Sequence, residues 1–275
     1  MEQIKAILEA KEYITKMINV KPELGLILGS GLGDLADEIK NPFTIPYADI
    51  PNFPISTVAG HAGELIIGAL EGKIVMAMKG RFHYYEGYSI QDIILPVRVM
   101  KTLGVKTLIV TNACGGMNPD FHAGDLMLIT DHINFMWSNP LIGPNLDEFG
   151  SRFPDISRAY TKELLDLGKQ VASNLGIEVR SGVYCGISGP SFMTRSELRM
   201  LRQWGADAVG MSTIPEVIAA AHMSMDVLGV SCVTDMAIAD ELEPINHNIV
   251  MNMANQAKPK FTKLLKGIIK EMYLK

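Results

Sequence analysis

Arg81 and His83 stand two residues apart in the stretch KGRFHYYEGYS, Lys79 to Ser89. Side chains two apart on an extended segment point the same way. A guanidinium and an imidazole that converge like this suit a phosphate group. Tyr84, Tyr85 and Tyr88 are placed to face a sugar or a base, and Glu86 is placed to orient a nearby histidine. The alternative is a surface aromatic turn with a satisfied histidine.

A second candidate lies in GVSCVTDMAIAD, Gly229 to Asp240, where an apolar run of the kind that forms a buried strand stops on Thr234 and Asp235. Such a strand delivers a carboxylate at its carboxyl end. GSGLG (Gly29 to Gly33) reads as a phosphate loop with Ser30 as a hydroxyl donor, or as an ordinary turn. It is not a dinucleotide fingerprint, because its third glycine comes one residue early. TNACGG sets Asn112 and small residues at another strand end, where backbone amides can approach an anion. Ser212 and Thr213 precede a helix, either as N-caps or as part of an anion site at the helix start. His247 sits near the start of the last helix, a position where a lone histidine also serves structure alone. His61, His83, His122, His132, His222 and His247 show no metal-binding spacing. With no nucleophile-elbow or P-loop lysine motif, a covalent hydrolase or nucleotide hydrolase is poorly supported.

The elements that must position these residues alternate. An amphipathic helix opens the chain, and LGLIL runs as a strand into the glycine turn. GELIIGAL and KIVMAMKG read as a hairpin turning at Glu71-Gly72. A helix follows over IQDIILPVRVMKT, with Gly104 as its stop. VKTLIVTNACGG and GDLMLITDHIN are strands, and residues 138–154, rich in Pro, Gly and Asn, form a long loop. A helix near 157–175, a strand at IEVRSGVYCGI, helices near 195–203 and from Pro215, the Asp235 strand and a helix from about Asn246 to Tyr273 complete the series. This is an α/β pattern around a mixed sheet in one domain, residues 1–275, with its site beyond the carboxyl ends of the strands.

Composition narrows the function classes. The 275 residues are 48% hydrophobic and 20% charged, with a formal net charge of -5. That balance excludes a nucleic-acid backbone as partner. No run of about 18 apolar residues marks a membrane span, and the N-terminus has no apolar signal core. Cys114, Cys185 and Cys232 read as buried, reduced thiols of a cytoplasmic protein.

Taken together, LILGSGLG, STVAGHAGEL, GRFHYYEGYS, TNACGGMNP, NPLIGPN, RFPD, GISGPSFMT, GADAVGMSTIPEV and INH resemble, in order, the motifs of the trimeric purine nucleoside phosphorylases. The resemblance implies that family's fold, a central mixed sheet, partly barrel-like, flanked by helices. It implies phosphorolysis of a purine nucleoside to free base and pentose 1-phosphate, with phosphate as co-substrate and no metal or organic cofactor. Mapped by motif, phosphate meets Ser30, Arg81, His83, Ala113 and Ser212, with His61 close by. The sugar meets Tyr85, Met211 and His247, and Phe153 reaches into a neighbouring subunit's site of a homotrimer. The base meets Phe192, Met193 and Asp235, and Asp235 and His83 carry the catalysis.

Two positions depart from the pattern of the 6-oxopurine-specific members, which carry Glu where Met193 stands and Asn where Asp235 stands. A glutamate accepts from N1–H, whereas methionine does not. An asparagine amide donates to O6, whereas an ionised aspartate only accepts. Adenine has an amino group at C6 and no hydrogen on N1, so both changes suit adenosine, alongside inosine. Phosphorylases of 5′-methylthioadenosine resemble the chain as well but lack a counterpart of His247. A non-catalytic nucleoside-binding protein and a hydrolytic nucleosidase are the remaining alternatives.

Overall fold

The computed structural model describes residues 2–57, 62–242 and 246–274. Strands β1 (Leu24–Leu28), β4 (Lys73–Lys79), β5 (Thr107–Gly116) and β9 (Asp226–Met236) run parallel to their neighbours in the order β4-β1-β5-β9. They are almost wholly buried, as expected for apolar runs in a parallel sheet covered on both faces. Their shared direction brings the ends of four apolar runs to one edge: Ser30 after β1, Arg81 and His83 after β4, Ala113 in β5 and Asp235 in β9.

Outside β4 the sheet continues through β3 (Glu64–Leu70) to the edge strand β2 (Lys40–Pro46). The β3–β4 hairpin turns at Glu71 and Gly72, both in the left-handed region, as the motif requires. On the other side the strands close a ring. β9 pairs with β6 (Leu126–Phe135), β6 with β7 (Val179–Ile187), β7 with the short β8 (Ala208–Gly210), and β8 returns to β5. The expectation of a mixed, partly barrel-like sheet flanked by helices therefore holds. Two of its strands are absent from the sequence reading. β2 holds two prolines and is mostly exposed, and β8 has three residues, too few to show a period.

The helices are α1 (Glu2–Met17), α2 (Ile90–Thr102), α3 (Lys162–Asn174), α4 (Arg195–Gln203), α5 (Ile214–His222) and α6 (His247–Glu271). α2 packs against α1 and α5, while α6 lies on β9 and against α3. The third helix starts later than its residue pattern predicts. Thr161 is tied to β9 instead, its N–H donating to the Val227 carbonyl (2.9 Å) and its hydroxyl accepting from Val227 N–H (3.0 Å). Those bonds hold the approach to α3 extended. Residues 138–154 form turns and bends without helix or strand. All three cysteines are buried free thiols. Among the described residues, no helix is long and apolar enough to cross a membrane.

Candidate active site

The strand ends open on a cavity of about 560 Å³. Ser30, Arg81, His83, Tyr85, Ala113, Phe192, Met193, Met211, Ser212, Asp235 and His247 all line it. Residues expected together from motifs spread over 218 positions, Ser30 to His247, therefore meet in one space. Phe153 does not line this cavity. It stands 88% exposed, with the Arg152 guanidinium 5.7 Å from its ring centre. His61 lies outside the described residues.

In the glycine turn after β1, the first amide is already engaged. The Gly29 N–H donates to the Thr111 hydroxyl (3.1 Å), and a Cβ there would sit 2.8 Å from Asn112 Cα. Gly31 has φ +74°, and a Cβ on it would lie 2.5 Å from that of Ala254 in α6. These two glycines serve close packing against β5 and α6, and Gly29 and Ser30 are the turn residues that line the cavity.

Arg81 is 1% exposed. Its Nε and NH2 donate to Glu216 Oε1 at 3.0 and 2.6 Å, and its NH1 donates to the Thr111 carbonyl. His83 Nδ1 lies 3.0 Å from Glu86 Oε1, and the His83 backbone N–H donates to the same oxygen at 2.7 Å. Glu86 Oε2 accepts from the Thr57 N–H and hydroxyl at 2.8 and 2.6 Å. Burial opposes the charge on Glu86, yet the bonds from His83 and Thr57 hold its pKa down at about 2. A fixed carboxylate beside Nδ1 orients the imidazole, a contact that the residue spacing alone does not show. Burial lowers the His83 pKa, with Glu86 acting against it and Arg81 adding to it. Tyr85 stacks on His83 with ring centres 4.7 Å apart.

Ser212 and Thr213 do not cap α5 in the expected way. Thr213 takes φ +75° and ψ -49° and makes no capping bond. The Ile214 N–H donates to the Ser212 carbonyl at 2.8 Å, which closes a γ-turn of the rare, strained kind. A β-branched residue in this region costs of order 1–3 kcal/mol and persists only where its surroundings impose it. Here Asn112 Nδ2 donates to the Thr213 hydroxyl at 2.9 Å, and Ser212 Oγ lies 3.2 Å from that oxygen. The strain sits beside the cavity and turns Ser212 toward it.

Asp235 lies beyond the buried run of β9. Burial raises its pKa to about 6, against the bond from Thr234, whose hydroxyl lies 2.9 Å from Asp235 Oδ1. The same hydroxyl lies 3.2 Å from the Cys114 carbonyl. One hydroxyl proton cannot serve two acceptors fully. Its donation is therefore shared between Asp235 Oδ1 and the Cys114 carbonyl, which leaves a charge on Asp235 poorly compensated. The carboxyl is thus poised between two protonation states near neutral pH, the condition for general acid–base chemistry. Ile187, Leu198, Val209, Ala237 and Leu242 add apolar surface to the lining of the cavity.

Sequence reading missed Glu216 and Thr111, and it named Asn112 as part of a strand-end anion loop rather than as the support of Thr213. Glu216 had a signal, as a single acid in the apolar stretch IPEVIAAAH. An acid in a first helical turn is normally explained by the helix dipole, which hides it.

Residues 23–270 match the model of the phosphorylase superfamily. The chain is 56% identical over 260 residues to purine nucleoside phosphorylase 1 of Bacillus subtilis (strain 168), spanning 94% of this chain and 96% of that one. The chain belongs to the purine nucleoside phosphorylases. Two solved structures of these phosphorylases, both from Schistosoma mansoni, superimpose over 98% of this chain and 98% of theirs. Isoform 2 in complex with cytosine and ribose-1-phosphate has a TM-score of 0.95 at 45% identity. A purine nucleoside phosphorylase in complex with adenosine has a TM-score of 0.93 at 44% identity.

Proposed function

We propose that this chain catalyses the reversible phosphorolysis of purine ribo- and deoxyribonucleosides in purine salvage, and that it accepts adenosine as well as inosine. The observation that carries the reading is the single cavity holding both Arg81, His83, Ser30 and Ser212 and the strand-end carboxyl of Asp235. Phosphate is the co-substrate, and the chemistry needs no other cofactor. Ser30, Arg81, His83, the Ala113 backbone and Ser212 hold phosphate, and His61 is assigned to the same role by its motif alone. Tyr85, Met211 and His247 hold the sugar. Phe192 stacks on the base, and Met193 and Asp235 face its edge.

Breaking the glycosidic bond leaves positive charge on the sugar and negative charge on the departing purine. Phosphate held by Arg81 and His83 stabilises the first charge and then attacks C1′, while a donor at N7 stabilises the second. Protonated Asp235 presents one donor and one acceptor, the complement of adenine N7 and N6–H. O6 of a 6-oxopurine next to N7 presents two acceptors, which an aspartate serves poorly. Burial supports this role, because it keeps a proton on Asp235 to about pH 6. Met193 offers no acceptor, and the unprotonated N1 of adenine asks for none.

Phe153 is exposed on the long loop and away from its own cavity, which suits insertion into the neighbouring subunit's site in a homotrimer. Three buried free thiols suit a reducing, cytoplasmic compartment. The test is cleavage of adenosine, inosine, guanosine and 5′-methylthioadenosine side by side, with and without phosphate. Phosphate-dependent cleavage of adenosine and inosine is expected. Cleavage without phosphate marks a nucleosidase, and guanosine cleavage with adenosine untouched removes the role given to Asp235.

A further inference from the structure

Helix α5 is apolar apart from its C-terminal His222 and one acid, Glu216, which is 2% exposed. Glu216 gives Oε1 to both Nε and NH2 of Arg81, and its Oε2 is buried without a hydrogen-bond partner among the described residues. A buried guanidinium cannot shed its charge, so it requires a counter-charge where it is shut off from water. Glu216 supplies it. The two bonds run to one edge of the planar group, and the Thr111 carbonyl takes NH1. Rotation of the guanidinium is therefore blocked from two elements, α5 and β5. The same helix begins at Ile214, the last residue of the strained turn that places Ser212. One helical turn thus fixes both Ser212 and Arg81.

We propose that Glu216 is a positioning residue of the phosphate site: it neutralises the buried Arg81 and aims its guanidinium at the phosphate, in register with Ser212. The proposal rests on the reading of Arg81 as a phosphate ligand. It opposes the simple electrostatic expectation. A carboxylate beside a cation weakens the cation's pull on an anion, so charge alone predicts tighter phosphate binding once Glu216 is removed. Positioning predicts the reverse.

The experiment is steady-state kinetics with phosphate and nucleoside varied separately, together with thermal melting, on Glu216→Ala, Glu216→Asp, Glu216→Gln and Arg81→Lys. Glu216→Ala is expected to raise the KM for phosphate on the order of 10- to 100-fold, with the nucleoside KM within about twofold of wild type. Glu216→Asp keeps the charge but withdraws the acceptor by one methylene, so it raises the phosphate KM too, and it decides the matter if Glu216→Ala does not fold. Glu216→Gln keeps an acceptor at the Oε1 position but not the charge, so it recovers the phosphate KM in part and melts below wild type. An unchanged or lowered phosphate KM in Glu216→Asp, or equal losses for phosphate and nucleoside, overturns the proposal. Arg81→Lys separates the two layers. An unchanged phosphate KM there removes the phosphate reading itself, whereas a raised one beside an unaffected Glu216→Asp removes only the role of Glu216.

Discussion

Replacing Asp235 by Asn tests both the energetics and the specificity of the strand-end carboxyl. Folding raises its pKa from 3.8 to about 6. The unfolded chain releases this proton as pH passes about 4, while the folded chain holds it until about 6, so the folded state loses stability across that window. At 1.36 kcal/mol per pH decade, the loss reaches about 3 kcal/mol above pH 7, and screening at the open mouth of the cavity reduces it. Asn carries no charge and keeps an acceptor for Thr234. The variant is therefore expected to be more stable than wild type at pH 8 by up to about 3 kcal/mol, or roughly 5 °C in melting temperature, with the gain shrinking toward zero at pH 4. Melting curves of both proteins from pH 4.5 to 8 measure this. A stability difference that does not change with pH refutes the burial argument. In parallel, the variant should lose kcat/KM for adenosine and gain it for inosine, because the amide donates to O6. Wild-type adenosine cleavage should decline as pH rises through about 6, where Asp235 loses its proton. An unchanged ratio of adenosine to inosine cleavage sinks the base-edge assignment even if the stability result stands.

Met193→Glu in the Asp235→Asn background should raise guanosine and inosine cleavage by about tenfold or more over the single variant, since the new carboxylate accepts from N1–H; no gain means that Met193 does not face the base edge. Thr213→Val keeps the strained backbone but removes the acceptor for Asn112, so denaturant unfolding should show a loss of about 1–3 kcal/mol together with a higher phosphate KM. A stabilised Thr213→Val refutes the account of the γ-turn. Phe153→Ala removes an 88% exposed ring, so it should leave melting nearly unchanged while raising the nucleoside KM. Full activity in that variant argues against an intersubunit role.

Much of the architecture is legible in local pattern. The hairpin at Glu71-Gly72, the helix over Ile90–Thr102 with its stop near Gly104, and the buried runs of β5 and β9 follow from turn chemistry and apolar runs that neighbouring residues supply. Where distant contacts override local preference, the reading fails. Thr161 bonds to Val227 and delays α3, Thr213 bonds to Asn112 and forgoes its cap, and β8 exists because β5 and β7 flank it.

The amino-acid sequence by itself determined the α/β class, the strand-end placement of Ser30, Arg81, Ala113 and Asp235, and the pair of departures at Met193 and Asp235. The first two rest on residue type and short-range spacing, and the departures rest on the resemblance of the surrounding motifs to the family. Only the tertiary structure decided that β5 to β9 close a ring, that Gly29 and Gly31 serve packing, that Glu216 grips Arg81 across 135 positions, and that Asp235 titrates near 6. These depend on burial and on partners far apart in the chain. A carboxylate's charge and a guanidinium's aim are set by what surrounds them once water is excluded.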